Sequence, residues 1–395
     1  MSNNNKTPAI RFKGFTDTWE QRKLGEVADI VGGGTPSTSN DDYWDGDIDW
    51  YAPAEIADQI YVASSERKIT QQGYDNSSAK MLPVGTVLFT SRAGIGKTAI
   101  LRKEGCTNQG FQSIVPHINE LDSYFIFSRS EEMKRYGETV GAGSTFVEVS
   151  GKQMANMELM MPITMEEQVT IGSFFSNLDF LITLHQRKCD KLIQFKAAML
   201  KKMFPQNGAD KPEIRFKGFT DAWEQREVSN VAMISTGGTP STAINEYWNP
   251  KQVPWLSSGE VHKKYITYTD DKISNEGLNH SSARMIKQNS VLIALAGQGK
   301  TRGTVAINRI SLSTNQSIAA MTFAPDICPE FVFSNLESRY DELRKVSSGD
   351  GTRGGLNKQL VSEIQIPYTS LNEQRKIGQF SLSPFISVSV INIKA

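Results

Sequence analysis

Cysteine is scarce and dispersed, with three residues, Cys106, Cys189 and Cys328, that share no paired spacing. That gives no support to a disulfide framework or a thiolate zinc site and points to a reducing compartment. Long apolar runs are missing as well. No stretch approaches the ~20 apolar residues of a membrane-spanning helix, and the polar start Met1–Pro8 lacks the apolar core of a signal peptide. The expected location is cytoplasmic, with no membrane contact. Neither sign of charge prevails, because 43 Lys and Arg face 43 Asp and Glu. Any affinity for nucleic acid must then come from local patches rather than a global basic excess. What is present, 38% hydrophobic and 22% charged residues over 395 positions, suits two or three folded domains.

The chain is written twice. Residues 10–22 read IRFKGFTDTWEQR and residues 214–226 read IRFKGFTDAWEQR, one difference in thirteen at an offset of 204 (214 minus 10). GGTPST recurs at Gly33–Thr38 and Gly237–Thr242, and Tyr43-Trp44 at Tyr247-Trp248. AGIGKT at Ala93–Thr98 answers AGQGKT at Ala296–Thr301, Asn108-Gln109 answers Asn315-Gln316, and Lys152-Gln153 answers Lys358-Gln359. A period this long marks a duplicated domain rather than a solenoid. The openers are nearly unchanged while Asp45–Gln72 and Asn249–Asn275 have diverged. That is the pattern of a common scaffold presenting two different surfaces.

Each copy closes on a helix signal. Thr164-Met-Glu-Glu167 follows Pro162 and Ser370-Leu-Asn-Glu373 follows Pro367, each spaced as a capping box. After the first, Ile171, Phe174, Leu178 and Leu181 follow a 3,4 spacing that Leu192, Phe195 and Met199 resume, with His185 and Lys188 in the in-phase positions between, up to the stop at Phe204-Pro205. A helix of about 38 residues would be roughly 57 Å long, and its heptad-like stripe asks for a partner helix. Elsewhere short β-branched and aromatic runs (Thr86–Thr90, Ser113–Val115, Ser290–Ala294) alternate with turns. Asp122–Tyr136 looks helical and is echoed by Glu330–Lys345. The expected class is α+β, in two tandem domains with a long helix between them.

The ordered set resembles the specificity subunit of type I restriction–modification systems over roughly residues 10–380. The resemblance rests on the Trp-Glu-Gln-Arg openers, the GGTPS turns followed by Tyr-Trp, the AGxGKT segments, and the Glu167-Gln168 and Glu373-Gln374 helix starts. It implies target recognition domains at residues 1–163 and 206–368 and a conserved spacer helix at 164–205. A second such helix would begin in 369–395. It further implies that each domain reads half of a bipartite site on double-stranded DNA. The partners implied are two methyltransferase subunits and, in the full nuclease, two restriction subunits. S-adenosylmethionine, ATP and Mg would belong to those partners, leaving this chain non-catalytic and free of cofactor and metal.

Under that resemblance the DNA-contacting candidates fall in the repeated motifs. Thr35, Ser37, Thr239 and Ser241 offer hydroxyls to phosphate or base edges, or simply shape turns. Lys97 and Lys300 sit in the GxGKT loops, which either approach phosphate or form tight hairpins. The Gly that a Walker A loop needs is Ser91 in one copy and Ala294 in the other, so nucleotide binding is not expected. Arg92 and Arg302 suit guanine, and Asn108, Gln109, Asn315 and Gln316 suit adenine or hydrogen-bonded turns. Tyr43-Trp44 and Tyr247-Trp248 belong to core or to a DNA-facing shelf. No Asn/Asp-Pro-Pro-aromatic methyltransferase signature occurs, and His117, His185, His262 and His280 do not recur between copies. Two other classes remain open, a duplicated interaction scaffold and a nucleotide-dependent transferase built on the GxGKT loops.

The end of the second copy departs from the family. After Ile377-Gly-Gln-Phe380 comes SLSPFISVSVINIKA, where Pro384 would stop a helix and Phe385–Ile393 alternates like a strand. The expectation is a second helix cut short by frameshift or truncation, impairing assembly. A leucine-rich continuation should then lie in another reading frame of the coding DNA.

Overall fold

The computed structural model describes residues 7–56, 59–92, 94–142, 148–206, 208–297, 300–345, 355–382 and, as backbone, 391–393. The chain divides into two compact units, Met1–Gln186 and Arg187–Ala395. In the first, a five-stranded sheet has the order Ala28–Gly32, Gln112–Pro116, Val87–Phe89, Thr98–Leu101, Tyr61–Val62. A three-stranded sheet sets Trp44–Tyr51 between Arg67–Ile69 and Cys106–Thr107, and Glu20–Lys23 pairs with Glu158–Met161. The second unit repeats this order strand for strand. Its large sheet runs Ala232–Thr236, Ile318–Phe323, Val291–Ala294, Val305–Asn308, Tyr265–Ile266. Its small sheet sets Val253–Leu256 between Asp271–Ile273 and Ser313–Thr314, and Glu224–Glu227 pairs with Gln365–Tyr368. It adds one pair, Ile214–Phe216 with Ile391–Ile393.

The apolar runs are continuous because both faces of each large sheet are covered. Val87, Phe89, Ile100 and Ile114 join the helix-side core, while Leu88, Ala99, Leu101 and Phe111 join a second cluster on the opposite face. Val291, Ile293, Val305 and Ile307 divide from Leu292, Ala294 and Ala306 in the same way. A strand buried on both faces has no polar face to display, so the alternation appears in which core each residue enters.

The helical segment of each copy is two helices rather than one. Ser123–Ser128 and Ser130–Gly141 break at Arg129, and Pro329–Ser338 and Tyr340–Lys345 break at Arg339. The first starts on Asp122, whose carboxylate accepts from the Phe125 N–H at 2.7 Å. The long helix spans Met165–Lys202, 38 residues. Ile171 packs against the first unit's core and Met199 lies within the second's. Between them Phe174, Leu178, Leu181, Leu192 and Phe195 are 42–49% exposed.

The capping boxes form only by half. Thr164 and Ser370 accept from the N–H of Glu167 and Glu373 at 3.3 and 3.4 Å. The two carboxylates do not reach back, because each is taken by the opener of its own copy. Arg11 grips Glu167 through Nε and Nη2, both at 2.7 Å, and Arg215 grips Glu373 at 2.6 and 2.8 Å. The adjacent Gln168 donates to the carbonyls of Glu120 and Pro162 and accepts from the Asp122 N–H. Gln374 does the same with Asp326, Thr369 and Cys328. The repeated opener and the repeated Glu-Gln are therefore two halves of one clasp at the base of each unit.

In the second copy the counterpart helix covers Leu371–Leu382. Pro384 lies outside the described residues, as does most of the strand expected over Phe385–Ile393. Its Ile391–Ile393 portion runs antiparallel to Ile214–Phe216.

Candidate nucleic-acid interface

The GGTPS turns are built by backbone contact. A Cβ on Gly33 would lie 2.0 Å from the Asn108 carbonyl oxygen, and one on Gly237 would lie 1.9 Å from that of Thr314. Only glycine admits such an approach. Two indoles then hold each turn: Trp50 donates to the Gly34 carbonyl at 2.8 Å and Trp44 to that of Ser37 at 3.1 Å. Trp255 and Trp248 repeat this on Gly238 and Ser241 at 3.0 and 3.1 Å. The Tyr-Trp motifs thus serve the turn with their Trp members, and Trp44 is buried.

Fixing the turn places its hydroxyl beside the second motif. Thr35 Oγ1 donates to Gln109 Oε1, and Thr239 Oγ1 donates to Gln316 Oε1 at 2.6 Å. Gln109, Gln316, Ser37, Thr239 and Ser241 are exposed, and Thr35 is half-buried. Among the described residues neither glutamine's amide NH2 makes a hydrogen bond, so each unit presents one hydroxyl–carboxamide pair at its surface. Asn108 and Asn315 have another task. Their side-chain oxygens accept from the N–H of Gly110 and Ser317 at 2.7 and 3.1 Å, closing the turn that carries the glutamine.

The GxGKT loops lie on the same hairpin of each unit but are not equivalent residue by residue. Phe89 pairs with Thr98, and Ile293 pairs with Val305. The connecting residues are 90–97 in one copy and 294–304 in the other, three longer. Gly96 matches Gly303, both at positive φ and both pressed against the following helix, at Lys134 and Arg344. Lys97 therefore corresponds to Thr304, and Lys300 stands in the added length. The repeated letters and the structural correspondence differ because the added length shifts the motif, while strand register and the glycine packed on the helix set the equivalence.

The first loop is a tight turn. Thr90 exchanges backbone bonds with Gly96 and Lys97, and its hydroxyl takes the Lys97 N–H at 3.0 Å. The Lys97 side chain is exposed, and Lys300 is also exposed while its carbonyl accepts from the Tyr340 hydroxyl. Arg92 lies beside Glu148, Nη1 to Oε2 at 3.9 Å, and Arg302 is half-buried in the second loop.

Two features escaped sequence reasoning. Arg67 lies over the Trp44 ring at 3.7 Å, beside the first turn, in a run that reads as a plain charged stretch. Beneath it, the buried Asp49 meets Lys103 at 2.7 Å and Lys68 at 3.1 Å and accepts from the Ser65 N–H. Burial pushes its carboxyl up, but these donors outweigh that and hold it well below the usual carboxylate range. A carboxylate set between Ile48 and Trp50 in a strand run was the available signal. Among the described residues no three His, Cys, Asp or Glu gather as metal ligands, and no helix is long and apolar enough to cross a membrane.

Hydroxyls, carboxamides and guanidinium groups on pinned turns are the equipment of groove and phosphate recognition. Residues 16–194 and 220–394 match the type I restriction modification DNA specificity domain, and the chain belongs to that family. It is a DNA-sequence-recognition subunit of a type I restriction–modification system, built as two such domains with a long helix. The MjaIX specificity subunit of Methanocaldococcus jannaschii is 27% identical over 299 residues, 73% of this chain and 68% of that one. The EcoR124I/EcoR124II specificity subunit of Escherichia coli is 29% identical over 174 residues, 42% of each. Two solved structures share the fold. A chain from a study of complex assembly and conformational transition of the type I R-M system has a TM-score of 0.58 at 17% identity, covering 95% of this chain and 90% of that one. The S subunit from M. genitalium has a TM-score of 0.56 at 12% identity, with coverage of 95% and 91%.

Proposed function

We propose that each unit reads one half of a bipartite duplex site, through Thr35 with Gln109 in the first and Thr239 with Gln316 in the second. The observation that carries this is the recurrence of one hydroxyl–carboxamide pair on two copies of one scaffold, amid residues that differ. Ser37, Ser241, Lys97 and Lys300 supply phosphate contacts, Arg92 and Arg302 base contacts, and Asn108 and Asn315 the turns that present the glutamines. The domain limits are 1–163 and 206–368, with the spacer helix at 164–205 and the second helix opening in 369–395. The spacer sets the gap between half-sites, near one helical turn of DNA (~34 Å).

The exposed stripe Phe174, Leu178, Leu181, Leu192 and Phe195 receives other helices of the assembly. Two methyltransferase subunits and, in the nuclease form, two restriction subunits are the partners. S-adenosylmethionine, ATP and Mg reside in them, and this chain, cytoplasmic and without catalytic residues, directs where they act. The test is to co-express the chain with its methyltransferase subunit in an unmodified host and map methylated adenines across the genome. A two-part motif with a fixed gap supports the reading. A motif of one half only, or none even when a full second helix is restored, overturns it.

A further inference from the structure

Arg92 and Glu148 face each other across an isolated antiparallel bridge. The bridge is part of the scaffold: Ser91 N–H donates to the Gly110 carbonyl at 2.8 Å, and Val149 N–H to the Ser91 carbonyl at 2.9 Å. The second unit has the same pair of bonds, from Leu295 to Ser317 and from Leu356 to Leu295, at 2.8 and 3.1 Å. Through that correspondence Arg92 matches Ala296, and Glu148 matches Gly355. The backbone arrangement is kept while both charges are absent, so the fold does not depend on the ion pair.

The pair is also available to an outside group. Its 3.9 Å separation exceeds hydrogen-bond length, and each side chain is 37% exposed. Among the described residues neither side chain hydrogen-bonds a neighbour. Arg92 borders Gly110, the residue after Gln109, its Nε lying 3.7 Å from where a Cβ on that glycine would be. Guanidinium and carboxylate therefore stand side by side at the edge of the proposed reading surface.

Charge chemistry selects the target. A phosphate would be repelled by Glu148, which argues against a backbone contact. On the major-groove edge, guanine offers two acceptors, N7 and O6, that a guanidinium engages bidentately, and its paired cytosine offers the N4 amine, a donor for a carboxylate. An A·T pair offers a guanidinium only one acceptor on either base, O4 on thymine or N7 beside the N6 donor on adenine, so the bidentate grip is lost there. Resting on the bipartite reading above, we propose that Arg92 and Glu148 together read one C·G base pair in the half-site of the first unit, with Arg92 on guanine and Glu148 on cytosine.

The test maps methylated adenines in hosts carrying the methyltransferase subunit with either the unaltered chain or variants. Arg92→Ala with Glu148→Gly installs the residue types the second unit carries at the corresponding positions beside the same two backbone bonds, so the scaffold tolerates them. The expected result is a motif relaxed at one G·C position of one half-site, discrimination there falling about ten-fold or more, with the other half unchanged. Glu148→Gln alone relaxes the same position less. An unchanged motif, relaxation at an A·T position, or uniform loss of methylation across all sites overturns the pair while leaving the bipartite reading standing. A chain that directs no two-part motif even with a full second helix restored overturns both.

Discussion

Around the two clasp carboxylates, the copies solve one problem with different donors. Trp19 Nε1 donates to Glu167 at 3.1 Å, whereas the matching Trp223 Nε1 is buried without a partner among the described residues. In its place Thr369 donates to Glu373 at 2.6 Å, where the first copy has Ile163. Thr369→Val should therefore cost the second unit about 1.5–3 kcal/mol, the range for a hydrogen bond to a charged group, read from urea unfolding. Ile163→Val, at the same position of the first unit, should be silent. Asp49 makes a second test at this scale. Its carboxyl is held low in the folded state, so its contribution is complete above the ordinary aspartate pKa of about 3.9 and is lost as pH falls below that value. Unfolding followed between pH 6 and 2 should steepen below about pH 4, and Asp49→Asn should flatten that fall while lowering stability at neutral pH. The individual letters of these groups were legible and their partners were not, because Arg11 and Glu167 lie 156 positions apart and no local spacing joins them.

At the level of elements, periodicity served well wherever one core decides it. The long helix and the sheet runs follow from apolar spacing and turn residues, whereas the breaks at Arg129 and Arg339 that split each helical segment in two did not. The hairpin loops did not follow, since a loop's length is set by the strands it joins and its motif carries no register. Lys97 and Arg92 occupy one such loop and should separate experimentally. Lys97→Ala should weaken duplex binding evenly across sequences and lower the salt slope by about one, leaving the methylation motif intact. The middle of the long helix presents a different expectation. Leu178 and Leu181 belong to neither unit's core, so replacing either by Ser should change unfolding of the units by no more than about 0.5 kcal/mol, whereas Phe174 also meets the Phe12 ring edge-on. Binding of a hydrophobic dye and association with the methyltransferase subunit should both fall. Co-purification with that subunit and dye fluorescence read the two effects.

For the whole molecule, balanced net charge conceals a division of labour. One architecture occurs twice with the same strand order, and differences concentrate in residues 45–72 and 249–275, which carry two strands of each small sheet and the loops between them. The repeat was plain in the sequence because the clasp and the turns tolerate little change. What each unit contacts was not plain, because it depends on which side chains the diverged segments bring to one surface.

The clasp has one more implication. Arg11 meets Glu167 and Arg215 meets Glu373, so the chain leaves each domain close to where it entered. A segment whose two ends are neighbours can be lifted out and replaced without stretching what remains. The arginine and glutamate that fasten both junctions are the same, so a domain cut from one position carries the main fitting of the other. Such a chain behaves as a holder with two matching sockets, in which exchanging inserts changes the address that is read while the mounting stays as it was.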